Sequence, residues 1–133
     1  MEIEMKPGIC AQAETIVEMK DTAKAVESGL AEVFATPMMI ALMEKAAYTA
    51  VQPQLPEGYS TVGIRIDASH LAATPVGVRV WAKATLAEVN GKRLIFDIEA
   101  HDEQDKIGEA RHERYIIEES RFLYKAYEKV KKE

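Results

Sequence analysis

The sequence predicts an α+β domain in which one long antiparallel sheet wraps around a central helix. A helical segment that opens at Thr36-Pro37 is apolar on nearly every face, which is typical of a helix buried on most sides. Several alternating segments joined by tight turns follow it and can supply the covering sheet. The length of 133 residues suits one domain, which we expect to span 1–133.

The composition excludes several classes of protein. A formal net charge of -5 argues against nucleic acid as a partner, because phosphate contacts need a basic face. The single cysteine, Cys10, excludes a disulfide framework within the chain and suits a reducing compartment. No secretory leader and no apolar run long enough to cross a bilayer is visible, so we expect a cytoplasmic protein without a membrane partner.

The first half of the chain is expected to contain one strand and the central helix. Met5 to Lys20 alternates as a strand does, whereas Asp21 to Phe34 has no clear period and indicates a loop or a short helical turn. Thr36 is predicted to cap the helix, with Pro37 at its first position. The helix should run to about Val51, since a proline follows at position 53.

The second half is expected to form strands and an extra C-terminal helix. The predicted strands are Tyr59 to His70, Val78 to Val89, Leu94 to Ala100 and Lys106 to Ile117. Asn90-Gly91 is a strong hairpin turn. Ser120 is expected to cap the final helix, over about residues 120–132, with an apolar stripe along one side.

Three adjacent long strands joined by tight turns predict an antiparallel meander. Strands of this length curl, and a curled sheet around a central helix is the hot-dog arrangement. Such a sheet leaves edge strands exposed, and pairing edges between protomers removes them. We therefore expect a homodimer, or a dimer of dimers.

Three residues are candidates for chemistry, each with a plainer alternative. Glu44 lies mid-helix among apolar residues, so it is either a general base with a raised pKa or part of a narrow solvent-facing strip. Thr36 could present its hydroxyl beside free helix N–H groups, or simply cap the helix. His70, at the end of a strand, could carry protons or be an ordinary surface histidine.

Metal and nucleotide sites are not indicated. Three scattered histidines show no ligand spacing, and phosphate-binding glycine patterns are absent. The Gly-x-Ser-x-Gly elbow of many serine hydrolases is also absent.

Four blocks of sequence together resemble the fluoroacetyl-CoA thioesterase family of hot-dog proteins. They are Val33-Phe34-Ala35-Thr36-Pro37, the helix carrying Glu44, the strand from Val62 to His70, and the strand from Gly108 to Tyr115. The resemblance covers roughly residues 10–117. It implies a dimeric enzyme that hydrolyses acyl-CoA thioesters with a threonine, a glutamate and a histidine, at Thr36, Glu44 and His70 here.

The resemblance also implies a substrate-binding set. Gly63 is expected to line the acyl site and Arg114 to lie close to it, with Phe34 and Leu30 beside them. The family's fluoroacetate-specific member carries an aromatic lid before the Ala-Thr block, whereas Glu27 to Val33 here contains Leu30 and no aromatic residue. The resemblance therefore leaves the acyl group open.

The function expected from the sequence is hydrolysis of a small or medium acyl-CoA thioester, with coenzyme A as part of the substrate and no metal or other cofactor. Thr36 would act as nucleophile or position water, Glu44 as base or transient acyl acceptor, and His70 as proton carrier. The main alternative is a hot-dog module that binds an acyl-CoA or a small hydrophobic ligand without cleaving it. A dehydratase-like or acyl-carrier-protein-dependent hot-dog enzyme and a structural or interaction protein are further alternatives, because one fold hosts many functions.

Overall fold

The computed structural model describes residues 3–130 and contains one five-stranded antiparallel sheet and two α-helices. The sheet order is β1-β3-β4-β5-β2, which confirms the predicted α+β class and the meander of β3, β4 and β5. In chain order the elements are β1 Cys10–Ile16, α1 Thr36–Val51, β2 Tyr59–His70, β3 Arg79–Asn90, β4 Arg93–Asp102, β5 Lys106–Glu118 and α2 Glu119–Tyr127, with three short 3-10 turns.

The central helix α1 packs against the inner face of the sheet. Its buried residues are Met39, Leu42, Met43, Ala46, Ala47, Ala50 and Val51. They meet alternate residues of β3 and β4, which are Val80, Ala82, Ala84, Leu86, Leu94, Phe96, Ile98 and Ala100. These strand residues point toward the helix, as the alternation of apolar and polar residues in the sequence predicts. The core therefore lies between one helix and one concave sheet face.

The start of α1 differs from the prediction by one residue. Ala35 is the N-cap, Thr36 is the first helical residue, and Pro37 follows at the second position. No side chain caps the helix. The Thr36 hydroxyl bonds instead to His70, a partner from a distant strand that local sequence could not reveal. The prediction of Thr36 as a helix cap is therefore wrong.

The edge strand β2 contains an irregularity that the sequence pattern hides. Ile64, Ile66 and Ala68 alternate with polar residues and should share one face. The pairing with β5 shifts between Gly63 and Arg65, so that Ile64 is an extra, bulged residue. Its side chain is 52% exposed. The simple alternation therefore holds only beyond the bulge.

The first strand is shorter at both ends than the predicted Met5 to Lys20, because the chain turns before it and the 3-10 turn Met19–Asp21 follows it. Pro7 has no backbone N–H, and Gly8 has a φ of 106°, which favours glycine. Residues 22–34 form no helix and no strand of the sheet, as expected. They are tied down by isolated bridges between Thr22 and Phe34 and between Val33 and Pro75.

Two further local predictions need correction. Asn90 pairs with Arg93, so the two-residue loop of the β3–β4 hairpin is Gly91-Lys92, with Gly91 at a φ of 63°. The helix α2 begins at Glu119 with Glu118 as N-cap, so Ser120 does not cap it.

None of the residues of α2 is buried, and its apolar side chains are largely exposed. Of the predicted helix over 120–132, residues 131 and 132 lie outside the described part of the chain. Across residues 3–130, no helix combines the length and apolar character needed to span a bilayer.

Candidate active site

The first functional pair joins the start of α1 to the end of β2. Thr36 Oγ1 lies 2.7 Å from His70 Nδ1. The segment before Thr36 is fixed by backbone bonds, because Phe34 N–H donates to Thr74 O at 2.8 Å and Ala35 N–H donates to Asp21 O at 2.9 Å. The hydroxyl and the imidazole are therefore held together by the fold.

The environment of His70 favours the neutral imidazole. Burial lowers the pKa of His70 below its ordinary value, and the backbone of Ala72 partly offsets this effect. Its Nε2 is buried and has no hydrogen-bond partner among the described residues. A neutral ring whose Nδ1 faces a hydroxyl can accept the Thr36 proton, which is the requirement for activating a weak nucleophile.

A buried carboxylate supports the turn that follows His70. Thr74 Oγ1 donates to Asp102 Oδ2 at 2.8 Å, and the N–H groups of Gln104 and Asp105 donate to Asp102 Oδ1 at 2.8 Å each. Burial alone would raise the pKa of Asp102, but these hydrogen bonds outweigh burial and lower it. The same Thr74 holds Phe34 through its carbonyl, so this turn organises both partners of the Thr36–His70 pair.

The second cluster surrounds Glu44 in the middle of α1. Glu44 Oε2 lies 3.6 Å from Arg114 Nη1 and 4.0 Å from His112 Nε2. Gly63 lies directly beside them, since a Cβ at this position would come within 2.9 Å of Glu44 Oε2. The Glu44 side chain is 40% exposed, so it is not enclosed by apolar neighbours as the sequence suggested. Its neighbours include a guanidinium and an imidazole.

Arg114 and His112 form a buried polar network behind Glu44. Arg114 Nε donates to Thr61 Oγ1 at 2.8 Å, and Nη2 donates to Thr61 O at 2.9 Å. Arg114 Nη1 lies 3.1 Å from His112 Nε2, and His112 Nδ1 lies 2.8 Å from Arg65 O. Burial lowers the pKa of Arg114, and Glu44 opposes that shift. Burial also lowers the pKa of His112, which keeps its ring neutral.

The two clusters do not meet within one chain. Glu44 lies eight residues after Thr36, about 12 Å along a helix that rises 1.5 Å per residue. Thr36 and His70 line a cleft of about 400 Å³, with Phe34 and Leu71 in its wall. Glu44, Gly63 and His112 line a separate cleft of about 310 Å³. We call these the hydroxyl half-site and the carboxylate half-site.

The proposed substrate residues divide between the two clefts. Phe34 is buried and lines the hydroxyl half-site, whereas Gly63 lines the carboxylate half-site and Arg114 lies behind it, against Glu44. Leu30 is 92% exposed and lines neither cleft. Within residues 3–130, no three histidine, cysteine, aspartate or glutamate side chains are placed to hold a metal ion.

The first turn of α1 has fewer free amides than an ordinary helix start. Met38 and Met39 N–H groups both donate to Ala35 O, and Pro37 has no N–H. The Thr36 N–H is therefore the one amide of this turn with no acceptor among the described residues. It lies on the residue whose hydroxyl faces His70.

Sequence reasoning missed His112 as part of a site. The available signal was its spacing, because His112 and Arg114 are two apart on β5 and so share a face. Their closeness to Glu44 depends on how α1 crosses the sheet, which that spacing does not reveal.

The chain is similar to known proteins over most of its length. A family model described as fluoroacetyl-CoA-specific thioesterase matches residues 17–120. The chain belongs to this family. A curated member, the fluoroacetyl-CoA thioesterase of Streptantibioticus cattleyicolor, is 43% identical over 99 residues, which cover 74% of this chain and 71% of the relative.

Solved structures of thioesterases are also similar to this chain. The fluoroacetyl-CoA thioesterase FlK has a TM-score of 0.89 at 35% identity, covering 95% of this chain and 98% of FlK. A thioesterase superfamily member from Thermus thermophilus has a TM-score of 0.86 at 31% identity, covering 96% and 94% of the two chains. These matches confirm the predicted family, the hot-dog fold and the class of enzyme, a thioester hydrolase.

Proposed function

We propose that this chain hydrolyses small or medium acyl-CoA thioesters and acts as a homodimer. In this dimer, each active site combines the hydroxyl half-site of one protomer with the carboxylate half-site of the other. The observation that carries the proposal is the 2.7 Å contact between Thr36 Oγ1 and His70 Nδ1, together with a buried His70 Nε2 that has no partner among the described residues. A buried N–H at His70 Nε2 needs a hydrogen-bond acceptor. Glu44 of the same chain lies in the separate carboxylate half-site, so we infer that Glu44 of the partner subunit is the acceptor.

The position of β2 supports this assembly. β2 is an edge strand, with β5 on one side and no strand from residues 3–130 on the other. An exposed edge of twelve residues favours pairing with a second chain. If two β2 strands pair antiparallel near their centres, between Ile66 and Asp67, the Gly63 end of one strand lies beside the His70 end of its partner. A symmetric dimer of this kind builds two equivalent composite sites.

The chemistry then follows the logic of a hydroxyl–imidazole–carboxylate triad. Thr36 Oγ–H donates to His70 Nδ1, and His70 Nε2–H donates to Glu44 of the partner subunit. Thr36 Oγ attacks the thioester carbonyl carbon as its proton passes to His70. The carbon–sulfur bond breaks, and His70 returns the proton to the departing CoA thiolate. Water activated by His70 then attacks the Thr36 ester, releasing the acid and restoring the hydroxyl.

The oxyanion that develops during attack needs a hydrogen-bond donor. The Thr36 N–H is suited to this role, because it has no acceptor among the described residues and lies on the attacking residue. A donor placed where charge develops stabilises the transition state more than the ground state.

Coenzyme A enters only as part of the substrate, and the proposed steps use no metal or other cofactor. A free, exposed Cys10 supports a cytoplasmic location.

Mixed dimers test the composite site directly. Thr36→Ala and Glu44→Gln should each lower thiol release from acetyl-CoA by about 10²–10⁴-fold, the usual cost of losing a catalytic group. When the two variants are co-expressed and allowed to exchange, half of the dimers should carry one intact site. Activity should then recover to about a quarter of the wild-type value, as two-fold symmetry requires.

Two outcomes would contradict the proposal. Absence of recovery in proven mixed dimers would mean that each site uses residues of one chain only. A wild-type protein that binds acyl-CoA without releasing thiol from any member of an acyl-CoA panel would be a binding module and not an enzyme. Size-exclusion chromatography with light scattering establishes the dimer beforehand.

A further inference from the structure

His112 is a buried histidine that the proposed reaction does not use. Its side chain is 1% exposed, and its ring packs at 6.3 Å from the ring of Phe96, centroid to centroid. Because Arg65 O can only accept, His112 Nδ1 must donate to it. Because Arg114 can only donate, His112 Nε2 must accept from it. Both ring nitrogens are therefore committed within the protein, which leaves no free nitrogen for proton transfer.

The first of these bonds lies at the bulge of β2. A bulge disrupts the ladder and leaves its own residue unpaired. The carbonyl that His112 binds belongs to Arg65, the residue directly after the bulged Ile64. His112 pairs with Ile66 across the two strands, so its ring stands beside the irregularity and ties it to β5.

The bulge decides which residues of β2 face α1. Successive side chains of a strand point to opposite faces, so Gly63 and His70, seven residues apart, would lie on opposite faces of a regular strand. The extra residue at Ile64 puts both on the helix side, where Gly63 adjoins Glu44 and His70 bonds to Thr36. A composite site needs them on the same side of the sheet.

The second bond fixes the guanidinium that faces Glu44. Thr61 holds Arg114 through Nε and Nη2, and His112 accepts from Nη1. The same Nη1 lies 3.6 Å from Glu44 Oε2. A planar guanidinium held at three nitrogens has little rotational freedom, so its approach to Glu44 is set by these partners.

We propose that His112 is a positioning residue of the carboxylate half-site, holding the Ile64 bulge through Nδ1 and the Arg114 guanidinium through Nε2 so that Glu44 is presented in one geometry. This inference rests on the proposed function, in which Glu44 takes part in hydrolysis. Because both of its ring nitrogens are bonded within the protein, His112 acts through Arg65 and Arg114.

Three substitutions separate the two bonds. His112→Phe keeps a ring of similar size and removes both. His112→Asn places an amide near the Nδ1 position and can restore the bond to Arg65. His112→Gln reaches the Nε2 position and can restore the bond from Arg114. His101→Phe is the matched control, because His101 lies on β4 and contacts Glu99 and Trp81, away from both half-sites.

The first measurement does not depend on activity. In the wild-type protein, the Arg114 Nε–H should give a protected signal in the nitrogen-15 NMR spectrum, since it is buried and donates to Thr61. His112→Phe should broaden this signal or speed its exchange with solvent, and His112→Gln should preserve it. An unchanged signal in folded His112→Phe would overturn the proposal.

The second measurement is the split between kcat and KM with acetyl-CoA. His112→Phe should lower kcat by up to about 100-fold with KM within about twofold, because misplacing a catalytic group affects the chemical step. His112→Gln should recover a large part of that loss. If His112→Phe does not fold, His112→Asn, which lacks the Arg114 bond, takes its place in both measurements.

Failure of this inference can be distinguished from failure of the proposed function. An inactive wild type, or a fully active Glu44→Gln variant, would contradict the function, while the Arg114 signal would still report on His112. A wild type that is active, a Glu44→Gln variant that is not, and a His112→Phe variant with full kcat would overturn the role of His112 alone.

Discussion

Gly63 and Glu44 are in such close contact that a single added methyl group at Gly63 would lie 2.9 Å from Glu44 Oε2. The contact is with the far end of a flexible, half-exposed side chain, which can swing away into solvent. The same Cβ would lie 3.2 Å from Cε1 of the buried His112 ring, so a larger residue at position 63 would displace the carboxylate and also press on His112.

Gly63→Ala should consequently affect activity more than stability. We expect the free energy of unfolding to fall by about 1 kcal/mol, the lower end of the range for overpacking, because the added methyl group presses on the His112 ring. We expect kcat with acetyl-CoA to fall by about 100-fold, because the carboxylate is moved. Urea denaturation and a free-thiol assay measure the two quantities. A variant with unchanged kcat would show that the position of Glu44 does not matter.

Gly108→Ala should instead lower the free energy of unfolding. A Cβ at this position would lie 2.5 Å from Met39 Sδ and 3.0 Å from the backbone oxygen of Ser69, where α1 packs against β5. Overpacking a buried contact of this kind costs about 1–3 kcal/mol. Gly29→Ala is the control, because its Cβ would meet only Ala23 Cβ at an ordinary 3.5 Å. Equal stability of the two variants in urea denaturation would contradict the close helix–sheet packing.

The pH dependence of the reaction should follow His70. Its neutral imidazole accepts the Thr36 proton. Within one chain burial lowers the pKa of His70, whereas the carboxylate of Glu44 of the partner subunit, placed at Nε2, would raise it. The value of kcat/KM should rise with pH as His70 loses its proton and then become level. Initial rates from about pH 5 to 8, the range in which histidines titrate, measure the profile. A profile that does not rise over this range would mean that another group controls the rate.

Stability should depend on pH in the same direction. Unfolded His70 and His112 bind protons more readily than the folded residues do, since burial lowers both folded pKa values. Between the folded and unfolded values the unfolded chain therefore holds more protons, and stability falls as the pH drops below 6.5. Urea midpoints in the His70→Ala and His112→Gln variants should lose part of this dependence. An unchanged dependence in both variants would assign it to other groups.

Thr74→Val tests the support beneath the Thr36–His70 pair. The substitution keeps the shape of the side chain but leaves Asp102 Oδ2 without its buried donor. An unsatisfied buried acceptor costs about 1–3 kcal/mol, so the variant should be less stable by that amount. Thr85→Val on the outer face of β3 should change stability by less than about 0.5 kcal/mol. Equal losses in thermal or urea denaturation would argue against the Thr74–Asp102 contact.

The last helix should contribute little to the stability of one protomer. None of the residues of α2 is buried, and the family match ends at residue 120. A chain that ends at Ser120 should lose less than about 1 kcal/mol of unfolding free energy, as expected for residues without buried contacts. A chain shortened only by residues 131–133 controls for end effects. A much larger loss would show that α2 packs against a second chain.

Much of the fold could be predicted from local patterns. The uniform apolarity of α1 indicated a buried helix, and the inward phase of β3 and β4 was correct residue by residue. These features depend on periods of two to four residues, which the sequence displays directly. The helix start and the hairpin turn were each displaced by one residue, because side chains and pairings outside the local segment select the boundary.

The chemistry of the candidate site was only partly visible in the same way. The sequence singles out Thr36, Glu44 and His70 as candidates, and the structure shows a contact between Thr36 and His70. The bulge at Ile64 was not predictable, because Ile64, Ile66 and Ala68 alternate as they would in a regular strand. Its cause lies in the pairing with β5, some fifty residues later in the chain.

Residue patterns alone indicate that this protein buries one helix beneath a curled antiparallel sheet and carries a hydroxyl, a carboxylate and an imidazole near that helix. The folded chain places the carboxylate with Gly63, His112 and Arg114, apart from the hydroxyl and its imidazole, and no local pattern predicts this separation. The difference arises because periodicity sets which face of an element a side chain occupies, whereas strand register and the crossing of α1 over the sheet set which faces meet.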